Sequence, residues 1–169
     1  MTSRLGYALG FLICLGLLGF ALYLQHVEHQ EPCPLCILQR VAFTAMMVVF
    51  AVAALHGPAR RGAIAYSSVI FIIAGLGATV AGRQVWLQML PANLVPACGP
   101  GLDYMLERFP LSQALQKIFA GSGECAEAGW RFLGLTIAGW SLVWLVALAL
   151  FALYVAWRAR PHRASIYRD

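Results

Sequence analysis

Charge is what this sequence has least of. Only 11% of its 169 residues are Asp, Glu, Lys or Arg, while 61% are hydrophobic and the mean hydropathy is +0.74. A soluble domain needs a charged shell around its core, so that class is excluded. Leu5–Leu24, Ala63–Gly82 and Phe132–Trp157 carry no charge at all, and Cys36–Leu55 carries only Arg40. Also missing are a haem-type Cys-x-x-Cys-His, an iron–sulfur cysteine run and a Gly-x-Gly-x-x-Gly loop, so no motif for haem, cluster or dinucleotide binding is present. There is no internal repeat and no low-complexity tract. The first run is too long for a signal h-region and has no Ala-x-Ala-like cleavage site, so it reads as a retained span.

What is present is four runs of membrane-crossing length. About 20 residues at about 1.5 Å each cross a hydrocarbon core of about 30 Å. The expected fold is an all-α membrane protein, a single domain over 1–169 forming an antiparallel bundle of four transmembrane helices. Its spans are expected at about 5–24, 36–55, 63–90 and 132–157. The connection 56–62 is tight, which makes spans two and three antiparallel neighbours. Loops at about 25–35 and 91–131 then fall on the opposite side, with Trp86 suited to a membrane boundary and Pro91 ending span three.

The net charge of +5 is topological. Arg4, Arg60, Arg61, Arg158, Arg160, Arg163 and Arg168 share one side of a four-span arrangement, opposed only by Asp169. The positive-inside rule puts that side, with both termini and the 56–62 turn, in the cytoplasm. No nucleic-acid partner is expected from a basic excess distributed this way. Cys33, Cys36, Cys98 and Cys125 then lie outside the cytoplasm, where disulfides persist, while Cys14 falls mid-span as a small packing residue.

In the longer loop, Leu102, Met105, Leu106 and Phe109 recur at helical spacing, as do Leu111, Leu115, Ile118 and Phe119. A short amphipathic helix follows, either lying flat in the headgroup region or capping the bundle. Cys98 sits in Val95-Pro96-Ala97-Cys98-Gly99-Pro100 and Cys125 follows Gly121-Ser122-Gly123-Glu124, both turn-like settings. Read as a structural staple, a Cys98–Cys125 bond closes a loop worth about 3–4 kcal/mol. Read as chemistry, it is an exchangeable pair.

Cys33-Pro34-Leu35-Cys36 is less ambiguous. Its ring is too small to staple much, and Cys-x-x-Cys is the spacing of redox exchange. If the helix begins near Cys36, free N–H groups and the macrodipole favour an anion there, and Arg40 at i+4 shares its face. An arginine so placed costs about 3 kcal/mol at a bilayer centre and needs either a partner or a route for its head to the boundary. His26, His29, Cys33 and Cys36 also form a formal zinc set, disfavoured because exported thiols oxidise first. Gln39, Gln84 and Gln88 lie at similar depth and suit the carbonyl oxygens of a small apolar molecule. Two cysteine pairs on one side suggest relayed thiol–disulfide exchange, which conserves electrons. By elimination, their exit is a lipid-soluble quinone.

Cys-Pro-Leu-Cys with Gln39-Arg40, the Pro-Ala-Cys98 turn, and Gly121-Ser122-Gly123-Glu124-Cys125-Ala126-Glu127 leading to Trp130 and Phe132-Leu133-Gly134-Leu135 together carry a resemblance. From span one to span four, the chain closely resembles the bacterial disulfide bond formation protein B (DsbB) family. The resemblance implies an inner-membrane oxidase that regenerates the disulfide of a periplasmic DsbA-like thioredoxin-fold partner. Two electrons would pass to ubiquinone, or to menaquinone without oxygen. It further implies that Cys98 meets the partner thiolate and frees Cys125, which attacks Cys33 so that Cys36 leaves towards the quinone. Arg40 matches the family's quinone-proximal arginine. Gln39 stands where many members have glutamate, and Gln84 and Gln88 stand where a histidine is frequent. Two competing readings are reversed electron flow, as in epoxide-reductase-like four-span proteins, and a passive scaffold with structural disulfides.

Overall fold

The computed structural model describes residues 3–29, 32–91, 94, 110, 113, 123–126 and 131–159. Cys98, the expected amphipathic helix and the basic tail beyond Ala159 lie outside the described residues. The described elements are α1 (Ser3–His26), α2 (Pro34–His56), α3 (Arg60–Gln88), the single turn α4 (Gly123–Ala126), the two-residue strands β1 (Arg131–Phe132) and β2 (Leu135–Thr136), and α5 (Ile137–Arg158). α1, α2, α3 and α5 are each long and apolar enough to cross a membrane, and they form the four-helix bundle that the uncharged runs predict.

Local chemistry fixes the helix ends. Pro34 occupies the first position of α2, where its locked φ helps and its missing N–H is not needed. Cys33, extended at φ −66° and ψ 163°, caps the helix, its sulfur accepting from the Cys36 N–H at 3.4 Å. At the far end Gly57 adopts the left-handed conformation (φ 61°) and its N–H closes on the Ala53 carbonyl at 2.9 Å. The turn is then held to α1, where Ser3 Oγ donates to the Pro58 carbonyl at 3.0 Å and the Arg4 side chain lies against Gly57. α3 has 29 residues, a length of about 43 Å that exceeds the hydrocarbon core. The excess is consistent with its last turns, bearing Gln84 and Gln88, standing near the boundary.

The fourth run is not one helix. Leu133 (φ 51°) and Gly134 (φ 81°) are both left-handed, forming a two-residue hairpin that pairs Arg131 with Thr136 and Phe132 with Leu135. Thr136 then caps α5, its Oγ1 accepting from the Gly139 N–H at 3.2 Å. The helix therefore starts at Ile137 and not at Phe132. An uncharged turn is indistinguishable from an uncharged span when only charge is counted.

Packing is most extensive between α3 and α5, followed by α1 with α2 and α2 with α3. Tyr7, Phe43, Met46, Phe50, Ile70, Leu145 and Leu148 form the buried core. Gly10 lets the Phe50 ring lie on the backbone of α1; a Cβ there would come within 2.5 Å of the ring. Leu12, Ile72, Leu76 and Leu150 point outwards, as lipid-facing residues do. Near the end that carries the helix termini, Tyr7 OH lies 2.9 Å from the Ala63 carbonyl and 3.1 Å from Ser67 Oγ, which donates to the Ala152 carbonyl at 2.7 Å. This polar knot ties α1, α3 and α5 together at the end opposite the Cys33–Cys36 motif.

Candidate redox site

The Cys33–Cys36 loop places one thiol at the cap of α2 and the other in its first turn, 2.9 Å apart and unbonded. Cys33 donates to Cys36. From α3, the Gln84 amide reaches both sulfurs, its Nε2 lying 3.3 Å from Cys33 and 3.2 Å from Cys36. Its Oε1 accepts from Gln39 Nε2 at 2.7 Å. Each amide is only 3% exposed, and in an apolar wall neither would be tolerated without the other.

Cys125 arrives on α4, buried in a small cluster with Cys33, Leu35, Val80 and Leu87. Its thiol hydrogen-bonds to Cys33, so Cys33 stands between two sulfurs. That contact, then the one to Cys36, then burial hold the Cys33 thiol well above the ordinary range, and in the reduced protein it stays protonated.

Arg40 is placed differently from Gln39. Its guanidinium crosses to α1, where Nη1 donates to Gln25 Oε1 and Nη2 to the Ala21 carbonyl at 3.1 Å. These acceptors supply the compensation its burial requires. Helical spacing predicts Arg40 on the face of Cys36; in the structure the polar side chain meeting the Cys36 sulfur is Gln84. Arg40 and the two thiols instead share the wall of a cavity of about 580 Å³, completed by Gln39, Gln84 and Gln88 and by apolar groups including Leu17, Phe43, Phe132, Trp140 and Trp144. The hairpin is pinned at this cavity: Thr136 Oγ1 donates to Gln88 Oε1 at 2.7 Å and Trp140 Nε1 to the Phe132 carbonyl at 3.0 Å. Among the described residues no cluster of His, Cys, Asp or Glu is arranged to hold a metal, and the zinc set is not assembled.

The family described as disulfide bond formation protein DsbB matches residues 3–155, nearly the whole chain. The chain belongs to the DsbB family. It is 50% identical over 161 residues to the disulfide bond formation protein B of Hahella chejuensis, covering 95% of this chain and 97% of the relative. The Nitrosococcus oceani protein of the same description is 51% identical, covering 91% of each chain. That of Aromatoleum aromaticum is 52% identical over 89% of this chain and 90% of the relative. Membership makes the chain a disulfide bond formation protein, a thiol oxidoreductase carried on four apolar helices.

Within this DsbB-family site, the structure brings Cys33, Cys36, Cys125, Gln39 and Arg40 to one end of the bundle, and Cys98 lies outside the described residues. Gln84 is one of the amides the sequence places at this depth, and the structure turns it to the two sulfurs. Spacing does not single out Gln25, whose only available signal is an amide at the end of an uncharged run.

Proposed function

We propose that the protein is a protein-dithiol:quinone oxidoreductase of the bacterial inner membrane, with both termini cytoplasmic. It reoxidises a periplasmic DsbA-like thioredoxin-fold protein and delivers two electrons to ubiquinone, or to menaquinone under anaerobic conditions. The observation that carries this reading is Cys33 lying between Cys125 and Cys36, with Cys33 and Cys36 forming part of the wall of an apolar cavity.

The chemistry is serial exchange. The partner's thiolate attacks Cys98 of a Cys98–Cys125 disulfide, forming a mixed disulfide and releasing the Cys125 thiolate. Cys125 attacks Cys33 of the Cys33–Cys36 disulfide, so the Cys125–Cys33 bond forms, the Cys33–Cys36 bond breaks and the electron pair stays on Cys36. The partner's second thiolate then resolves the mixed disulfide, the partner leaves oxidised, and the freed Cys98 thiolate attacks Cys125, restoring the Cys98–Cys125 bond and releasing Cys33. Re-forming the Cys33–Cys36 bond would then give up the two electrons and two protons that a quinone takes. Cys33 suits the middle position because it is within reach of both neighbouring sulfurs.

The cavity suits a quinone in size and character. Its volume lies within the 300–1,000 Å³ or so usual for small-molecule sites, and its wall is mostly apolar with a few polar groups. Arg40 has five N–H donors and α1 engages two, so others remain for a carbonyl oxygen, and Gln39 keeps a second amide hydrogen. When bound, the quinone supplies an acceptor for two electrons and two protons. Arg4, Arg60, Arg61 and Arg158 at the bundle end opposite the Cys33–Cys36 motif support the orientation.

The test is reduced partner, purified protein and quinone, followed by quinone absorbance. One quinone is consumed per partner disulfide formed, and none in the Cys36→Ala variant. Continued turnover in that variant, or dithiol oxidation without quinone, would overturn the proposal.

A further inference from the structure

Gln84 is the described polar side chain that touches both sulfurs of the Cys-x-x-Cys pair, and its distances to them differ by only 0.1 Å (3.3 and 3.2 Å). A primary amide has two hydrogens on one nitrogen, enough for one to each sulfur. The other end of the amide is held by Gln39, from which Oε1 accepts at 2.7 Å, and Oε1 lies farther from the Cys36 sulfur (3.6 Å) than Nε2 does. That bond determines which end of Gln84 faces the thiols. Were Gln39 to present its oxygen, Gln84 would turn its nitrogen away and show the sulfurs an acceptor. A disulfide or a thiolate, neither having a hydrogen to donate, could not use that acceptor.

We propose that Gln84 is a catalytic residue of the exchange step, its amide donating to the Cys36 sulfur as charge collects there, and that Gln39 is a positioning residue that keeps the amide aimed at the sulfurs. The inference rests on the exchange sequence above and adds a feature to it. When Cys125 bonds to Cys33 and the Cys33–Cys36 bond breaks, the electron pair arrives on a sulfur already in contact with an N–H. No side chain has to reorganise as the charge develops, which is the condition under which a fixed donor accelerates a reaction. Neither amide titrates. The titratable groups that meet the pair among the described residues are the thiols of Cys33, at the cap of α2, and Cys36, in its first turn; Cys125 of α4 meets Cys33, Arg40 is turned to α1, and Arg83 on α3 lies over the Trp86 ring.

The experiment uses the full chain with Cys33–Cys36 oxidised and dithiothreitol as reductant, with no quinone, reading the rate at which the bond opens and the equilibrium position. Gln84→Met keeps the length and removes the donor, and the rate should fall about ten- to a hundredfold with equilibrium shifted towards the disulfide. In Gln84→Glu a protonated carboxyl retains one O–H donor while the carboxylate has none, so the rate should become pH-dependent, higher in acid relative to wild type and lost as the carboxyl ionises. Gln39→Glu, unable to donate when ionised, should slow the reaction although Gln84 is intact, and Gln39→Met should slow it less. A Gln84→Met protein that melts like wild type and opens its disulfide at the wild-type rate would overturn the inference, as would a Gln84→Glu protein with the wild-type pH profile. Wild-type protein that reacts with dithiothreitol but never reduces quinone would instead sink the function proposed above and leave this inference standing.

Discussion

Arg40→Ala separates two roles for a half-buried cation, and its contacts set the size of each effect. The side chain makes two interhelical hydrogen bonds, to Gln25 and to the Ala21 carbonyl. Such bonds contribute about 0.6 kcal/mol each on average inside a membrane. Against that loss, the variant no longer buries a cation whose insertion costs up to about 3 kcal/mol at the bilayer centre and less towards the boundary. The two effects oppose each other, so net stability should change by no more than about 2 kcal/mol. For a chain of this size that is a Tm shift of about 8 °C at most. A charged donor lost from a ligand oxygen is worth about 1.5–3 kcal/mol. At about 1.4 kcal/mol per tenfold, the apparent KM for quinone should rise about ten- to a hundredfold. The assay is quinone absorbance at saturating reduced partner, with Tm measured on the same preparation. Gln25→Leu should reproduce part of the KM effect, and the double variant should fall short of the sum because the two residues share a bond. If KM is unchanged in Arg40→Ala and Gln25→Leu while Tm drops, Arg40 is an anchor and the cavity assignment loses its cation.

Cys33→Ala and Cys36→Ala should each abolish quinone reduction, while Cys98→Ala should abolish turnover with the partner yet leave Cys33–Cys36 open to a small dithiol; stopped-flow absorbance and thiol counting check both. The Cys33 thiol is held above its ordinary value, so the folded chain keeps a proton that the unfolded chain releases above pH about 8.5. Stability of the reduced protein from this group is full below that pH and declines as pH rises further. A Tm series from pH 7.5 to 10 should show the decline in reduced wild type, with the slope diminished in Cys33→Ala and in the oxidised protein. Gly10→Ala places a Cβ within 2.5 Å of the buried Phe50 ring, which must shift at a cost of about 1–3 kcal/mol. Thermal melts should show the loss, and Phe50→Leu in the same chain should recover part of it.

The helices are legible because a membrane demands long uncharged runs, and each run here contains one. Their ends are less legible. Leu133-Gly134 looks like span to a count of charges, and only its left-handed backbone reveals a hairpin. The Cys-x-x-Cys pair was readable from spacing, since four residues of local chain fix it. The partners of Arg40 were not, because Gln25 and Ala21 are 15 and 19 residues away on another helix. The approach of Cys125 to Cys33 was expected only through the family resemblance, being a tertiary fact that spacing within either loop does not contain. Gln84 was legible as a polar group at this depth but not as a partner of the thiols, because only the two sulfurs beside it give it that role.

Cys125 meets Cys33 from the cluster under α4, and among the described residues it does not contribute to the cavity wall that Cys33 and Cys36 share. On the proposed function, the motif would be a partition with two customers, a protein on its watery side and a lipid-borne oxidant on the other. Loading one counter would then leave the other free, so an oxidant would wait in place before any client docks, and the rate at which clients are served would not depend on how fast the oxidant diffuses through the bilayer.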